Sequence, residues 1–171
     1  MKKLVLFSLS LLLCVSCASM ATGPMASATL SPTTSASTAA GTVDFKQLGD
    51  GSVEVSVKLT GVPPGVHGFH VHDKGDCGDA GNAAGGHFNP TATPHGAPSA
   101  DPHHAGDFGN VTADADGKVN TRFTTRSITV GEGASSAVGH AVILHANPDD
   151  LQTQPTGNAG GRIACGVVQM R

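Results

Sequence analysis

The chain has 171 residues, enough for one domain and an export segment. Only 13% of its residues are charged, about half of the ~25% usual in soluble domains. The formal net charge of −3 excludes a basic nucleic-acid footprint, and the 23 Gly and 10 Pro exclude a coiled coil or helical bundle.

Lys2 and Lys3 precede an apolar run over residues 4–15, which is too short to span a bilayer as a stable helix. Residues 1–16 therefore read as a bacterial-type secretory signal. The run ends in Leu13-Cys14-Val15-Ser16-Cys17, which resembles a lipobox with Cys17 as the lipidated first residue of the mature chain. Cys14 stands where that motif prefers Leu, and ordinary cleavage near Ala18 or Ala21 is the alternative. The expectation is an exported protein of the cell envelope, periplasm or outer surface. A lipid on Cys17 would be its one membrane contact; without it the protein is secreted. Loss of Lys2 and Lys3 takes the net charge from −3 to −5.

Residues 18–40 have the composition of a Ser/Thr/Ala tether, although Ala26, Ala28 and Leu30 alternate as in an edge strand. Residues 41–48 alternate weakly through Val43 and Phe45. Residues 51–61 alternate cleanly, with Val53, Val55, Val57 and Leu59 on one side. Phe69 and Val71 alternate with His70 and His72 in a third strand. Residues 108–113 and 118–124, joined by Asp114-Ala115-Asp116-Gly117, predict a hairpin. Residues 141–144 and 163–168 predict two further strands. Short strands separated by turns indicate a β-sandwich or barrel. Residues 74–107 and 146–161 break the rhythm as long Gly/Pro-rich loops, and loops of that length in a compact domain are usually functional.

All nine His lie between His67 and His145. His70 and His72 are two apart on a strand, so both point to one face. His145 closes the 141–144 strand, and His87, His95, His104 and Asp107 sit in or beside the first long loop. Imidazole with carboxylate suits zinc, and imidazole alone suits copper. Six His and one Asp exceed the needs of one tetrahedral ion, so two ions are the economical reading. His140 is an odd number of residues from His145 and is expected at the surface. His103 is expected to point away from its neighbour His104. His67 is opposite in phase to His70 and is either an orienting donor or a packed strand residue. Cys77 and Cys165 form an even pair in an exported chain, so a disulfide is expected; two free thiols are the alternative. The bond would close a loop of ~88 residues.

The order of motifs is specific. It runs Gly68-Phe69-His70-Val71-His72, Gly86-His87-Phe88-Asn89-Pro90, His95-Gly96, His104-Ala105-Gly106-Asp107, His145, and residues 157–166 from Gly157-Asn158-Ala159-Gly160-Gly161-Arg162 to Cys165-Gly166. In register, the set resembles the copper/zinc superoxide dismutase family, exported bacterial type, over residues 26–171. The resemblance implies an eight-stranded Greek-key β-barrel or flattened sandwich and shortens the tether to residues 17–25. It implies copper on His70, His72, His87 and His145, and zinc on His87, His95, His104 and Asp107, with His87 bridging both. It further implies that Asp149 links the two sites, that His67 orients a ligand, that Cys77 and Cys165 are bonded, and that Arg162 binds the anionic substrate. The implied reaction is dismutation of superoxide to dioxygen and hydrogen peroxide. Bacterial members include monomers and homodimers, so the quaternary state stays open.

One departure stands out. Many members carry Lys in the loop corresponding to residues 146–161; here that loop has none and carries Asp149 and Asp150, and Lys74 is the nearby alternative. Two other classes fit less well. A metal buffer would be richer in Met and Cys and would have no use for Arg162. A zinc hydrolase needs a general base by the metal, yet Glu54 and Glu132 lie outside the motifs.

Overall fold

A computed structural model describes residues 23–171. The expected signal segment and Cys17 lie outside the described residues. Nearly every element is a strand whose two-residue alternation puts one row of side chains inside. β1 (Met25–Pro32) buries Ala26, Ala28 and Leu30, so the faint alternation there marks a true strand. β2 (Ala40–Gln47) buries Val43 and Phe45. β3 (Val53–Thr60) buries Val53, Val55, Val57 and Leu59. These three form an antiparallel meander.

The remaining strands are β4 (Gly65–His72), β5 (Asp107–Ala113), β6 (Val119–Thr125), β7 (Ala141–His145), β8 (Arg162–Val167) and the two-residue β9 (Gln169–Met170). The sheet order is β5-β4-β7-β8-β1-β2-β3-β6, with β9 on β1. Every pairing is antiparallel. Insertion of β7 and β8 between β4 and β1 makes the expected Greek key, a nearly closed eight-strand barrel.

The expected hairpin is corrected in one respect. Its turn forms, with the Asp114 N–H donating to the Lys118 carbonyl at 2.9 Å and Gly117 at φ 73°. Its strands, however, pair outward, β5 with β4 and β6 with β3, and stand at the two ends of the sheet. The Phe108 and Phe123 rings meet edge to face across the opening, 5.4 Å apart. A turn signal specifies the reversal of the chain, whereas strand pairing depends on which other strands the fold brings alongside.

All five residues of β7 are buried. Val142 and Leu144 face the barrel interior, while Ala141 and Ile143 pack outside it with Ala84 and Cys165. The loop following β4 must therefore fold back over the outer face of β7. The Cys77–Cys165 disulfide holds it there, joining that loop to β8 across 88 residues. Breaking so long a crosslink should destabilise the metal-free protein by ~2–5 kcal/mol. We expect Cys165→Ser to show this loss in denaturant unfolding without reductant; an unchanged midpoint would mean the bond contributes nothing to stability.

Candidate metal centre

The site lies on the outside of the barrel wall. Phe69 and Val71 of β4 point into the core, so His70 and His72 point out. His145 ends β7, beyond a register shift against β8. The loop after β4 doubles back as one more extended segment: the Phe88 N–H donates to the Val71 carbonyl at 2.8 Å, and the Asp73 N–H to the Gly86 carbonyl at 2.9 Å. This sets His87 opposite His72 in a single β-bridge. Asp107 opens β5 opposite His70. Chain segments far apart in sequence thus converge on one patch, roofed by residues 73–106 and 146–161.

Two donor sets result. His70, His72, His87 and His145 form one, and His87, His95, His104 and Asp107 the other; within each set the ligand atoms lie within 4.8 Å of one another, and all are buried. In the first set, His72 Nε2 and His145 Nε2 face each other at 3.2 Å. In the second, one oxygen, Asp107 Oδ1, is approached by His87 Nδ1 at 2.7 Å, His95 Nδ1 at 3.0 Å and His104 Nδ1 at 3.2 Å. His70 Nδ1, His87 Nε2, His95 Nδ1 and His104 Nδ1 are buried without a hydrogen-bond partner. Unpartnered nitrogens in a dry interior are costly unless a cation takes their lone pairs. The four-imidazole set suits copper, and the three-imidazole, one-carboxylate set suits zinc.

The opposite ring nitrogens are anchored. His72 Nδ1 donates to the Gly85 carbonyl at 2.9 Å, and His145 Nδ1 to the Gly160 carbonyl at 3.2 Å. The Asp149 carboxylate accepts from His70 Nε2 at 2.8 Å and from His95 Nε2 at 3.0 Å, tying the two sets together. Each such bond consumes one ring proton and leaves the other nitrogen as a bare donor. Gly157 makes room for this link, because a Cβ there would collide with the Asp149 carboxylate and the His95 ring, at a φ of +68°. His87 alone belongs to both sets: its Nδ1 lies 2.7 Å from Asp107 Oδ1, and its Nε2 is buried without a partner.

Arg162 donates from its guanidinium to the Gly81 and Gly85 carbonyls. It therefore shares Gly85 with His72 at the edge of the first set. The exposed Lys74 runs its aliphatic stem beside Gly85. Asp149 turns its charge inward, whereas Asp150 is exposed and accepts from Thr153 and Gln152. Of the three histidines outside both sets, His67 spans the carbonyls of His145 (2.9 Å) and Pro63 (2.7 Å), which favours the orienting role. His103 bonds the carbonyl of His104 at 2.7 Å. His140 is only half-exposed, and its ring packs on Phe88.

Two supports escaped the sequence. Asn110 clasps the backbone of Asp149 with both ends of its amide, at 2.8 and 2.9 Å. Gln154 does the same for His95, at 2.9 and 2.8 Å. Each reaches across a loop to a partner 39 or 59 residues away, and no local pattern announces such a contact.

A family model described as copper/zinc superoxide dismutase (SODC) matches residues 39–168. Among solved structures, a crystal structure of the clock protein EA4 is 40% identical, covers 86% of this chain and 94% of its own, and superposes with a TM-score of 0.79.

Burial holds His70 and His72 neutral, their pKa values lying well below 6.5, with the neighbouring His87 and His145 acting in the same direction. Burial also lowers His145 to about 4, against a partial offset from the Gly160 carbonyl. Burial pushes Asp107 up, but the hydrogen bond from His87 and the Gly96 N–H outweigh it and hold the carboxyl below its usual range. Imidazoles with depressed pKa values take protons first in the unfolded chain. The metal-free protein should therefore keep its full stability above about pH 6.5 and lose it progressively as pH falls toward 4. Unfolding midpoints of the metal-free protein across that window test this; a flat profile would show that these imidazoles are not held neutral.

Proposed function

The chain belongs to the copper/zinc superoxide dismutase family, and on that premise we propose how its own residues serve the dismutation of superoxide. Copper held at the site would supply a one-electron couple and zinc a fixed positive charge, chemistry suited to converting two superoxide ions and two protons to dioxygen and hydrogen peroxide. His70, His72, His87 and His145 would hold copper, and His87, His95, His104 and Asp107 would hold zinc.

The observation that carries this reading is the environment of His87. Its Nδ1 faces Asp107, His95 and His104, and its Nε2 is buried with no partner on the copper side. With no outer acceptor, the ring can serve two cations only by giving up both protons. Nε2 is then the ligand nitrogen best placed to take up a proton and pass it on during turnover. Asp149 keeps His70 and His95 in the matching tautomers. Arg162, pinned by the Gly81 and Gly85 carbonyls, would hold the anion by charge-assisted hydrogen bonds.

Substitution of the shared imidazole and of the guanidinium should therefore separate. His87→Ala should lose both metals, whereas His140→Ala, which removes no donor atom, should still bind both. Arg162→Glu should keep its metals and slow turnover by about two orders of magnitude, the usual loss when one preorganised donor is removed. Metal analysis and a superoxide-consumption assay on the same preparations test all three; full metal content in His87→Ala would overturn the bridge.

The mature chain's charge of −5, with two Lys removed from the −3 total, repels an anion, so guidance must be local. Residues 146–161 contain no Lys or Arg, leaving Lys74 on the Gly85 rim as an exposed cation to assist Arg162. Activity should fall only weakly from about 10 to 300 mM salt, as the screening length shrinks from ~30 Å to below ~8 Å. Lys74→Ala should remove part of that dependence. A steep fall that survives Lys74→Ala unchanged would assign guidance to another residue.

A further inference from the structure

His140 belongs to neither donor set, yet its side chain touches both chain segments that meet at the copper side. Its Nδ1–H donates to the carbonyl of His72 at 3.2 Å. Its ring lies on that of Phe88, the residue after His87, with centroids 4.0 Å apart and planes tilted by 36°. Those segments meet in one β-bridge, His72 to His87, extended by the Lys74 N–H to the Ala84 carbonyl and by His72 Nδ1 to the Gly85 carbonyl, and their imidazole centroids are 5.0 Å apart.

The root of His140 is firm. Its N–H donates to the Ala137 carbonyl at 3.2 Å, and its carbonyl accepts from the Val168 N–H at 2.9 Å. Phe88 is likewise fixed, 4% exposed and bonded through its backbone to Val71 and Gly106. The other two histidines outside the donor sets act on the same kind of target: His67 holds the carbonyl of His145, and His103 that of His104. His140 differs in that both of its partners, His72 and Phe88, lie on segments that carry donors of the first set.

We propose that His140 is a positioning residue for the copper side of the centre, clamping the strand end that carries His72 to the loop segment that carries His87. This rests on the assignment of His72 and His87 as copper ligands. Parting those segments would open the copper set while leaving His95, His104 and Asp107 in place. The clamp therefore acts chiefly on copper geometry and copper release, and reaches the zinc side only through the shared His87.

The test uses the full protein loaded with copper and zinc, compared with His140→Ala and His140→Phe. Copper(II) paramagnetic resonance reports ligand geometry, and extraction by a chelator reports release of each metal. His140→Ala should shift the copper spectrum and speed copper extraction about tenfold, the low end of what losing a partner of a ligand costs, with zinc extraction changed much less. His140→Phe keeps a ring over Phe88 without a donor and should recover part of that loss. A copper spectrum and extraction rate equal to wild type in His140→Ala overturns the clamp, even if the melting temperature falls. Zinc released faster in parallel with copper, or no recovery in His140→Phe, overturns it as well. His72→Ala tests the premise separately: it must fail to retain copper, and retention there overturns the ligand assignment itself.

Discussion

Six imidazoles and one carboxylate are packed so closely that their ligand atoms fall within 4.8 Å of one another in each of two sets. Such a cluster has no stable protonation state of its own. Full protonation would crowd like charges in a dry interior, and full deprotonation leaves buried lone pairs unpaired. Cations resolve the conflict, and His87 carries most of it, because both of its nitrogens are committed inward. The rest of the molecule can be understood as the apparatus that holds this cluster in register.

The barrel contributes a rigid wall, and two of its strands do double duty. β4 sends Phe69 and Val71 inward and His70 and His72 outward, so the pleat that packs the core also aims two donors. β7 is buried on both faces, which obliges a loop to cover it, and that loop brings in His87, His95 and His104. The disulfide fastens the loop to β8 beside Ile143. Outward-directed side chains on ordered strands are far more precisely held than side chains on free loops. The loop donors gain equivalent precision from Asn110, Gln154 and Asp149, each spending its polar atoms on site backbone or rings.

The same outer bonds shape the electrostatics. Asp149 has its negative charge absorbed by His70 and His95, so the loop over residues 146–161 presents Asp150 alone as an exposed acid. Arg162 is drawn toward His72 by their common carbonyl partner, Gly85, which sets a fixed cation at the edge of the copper set. Positive charge beside this set therefore comes from a few closely placed groups, in a chain whose total is negative.

The sequence by itself determined the strands, the donor residues and their likeness to one family. Strand alternation and ligand identity are local, recorded in spacing such as His70-Val71-His72 or Val53 to Leu59. The grouping of donors into two sets was legible only through that likeness, since nothing in the spacing of His87 says that its two nitrogens face different ways. Tertiary structure alone decided three things. It separated β5 from β6 despite a well-formed turn, because each strand finds its hydrogen-bonding partner elsewhere, in β4 and in β3. It recruited Asn110, Gln154 and the Gly85 and Gly160 carbonyls, whose partners are brought near only by loop closure. It also turned His140 from an expected surface residue into a contact of Phe88 and His72, because neighbouring segments, which strand phase cannot foresee, fold over the face to which it points.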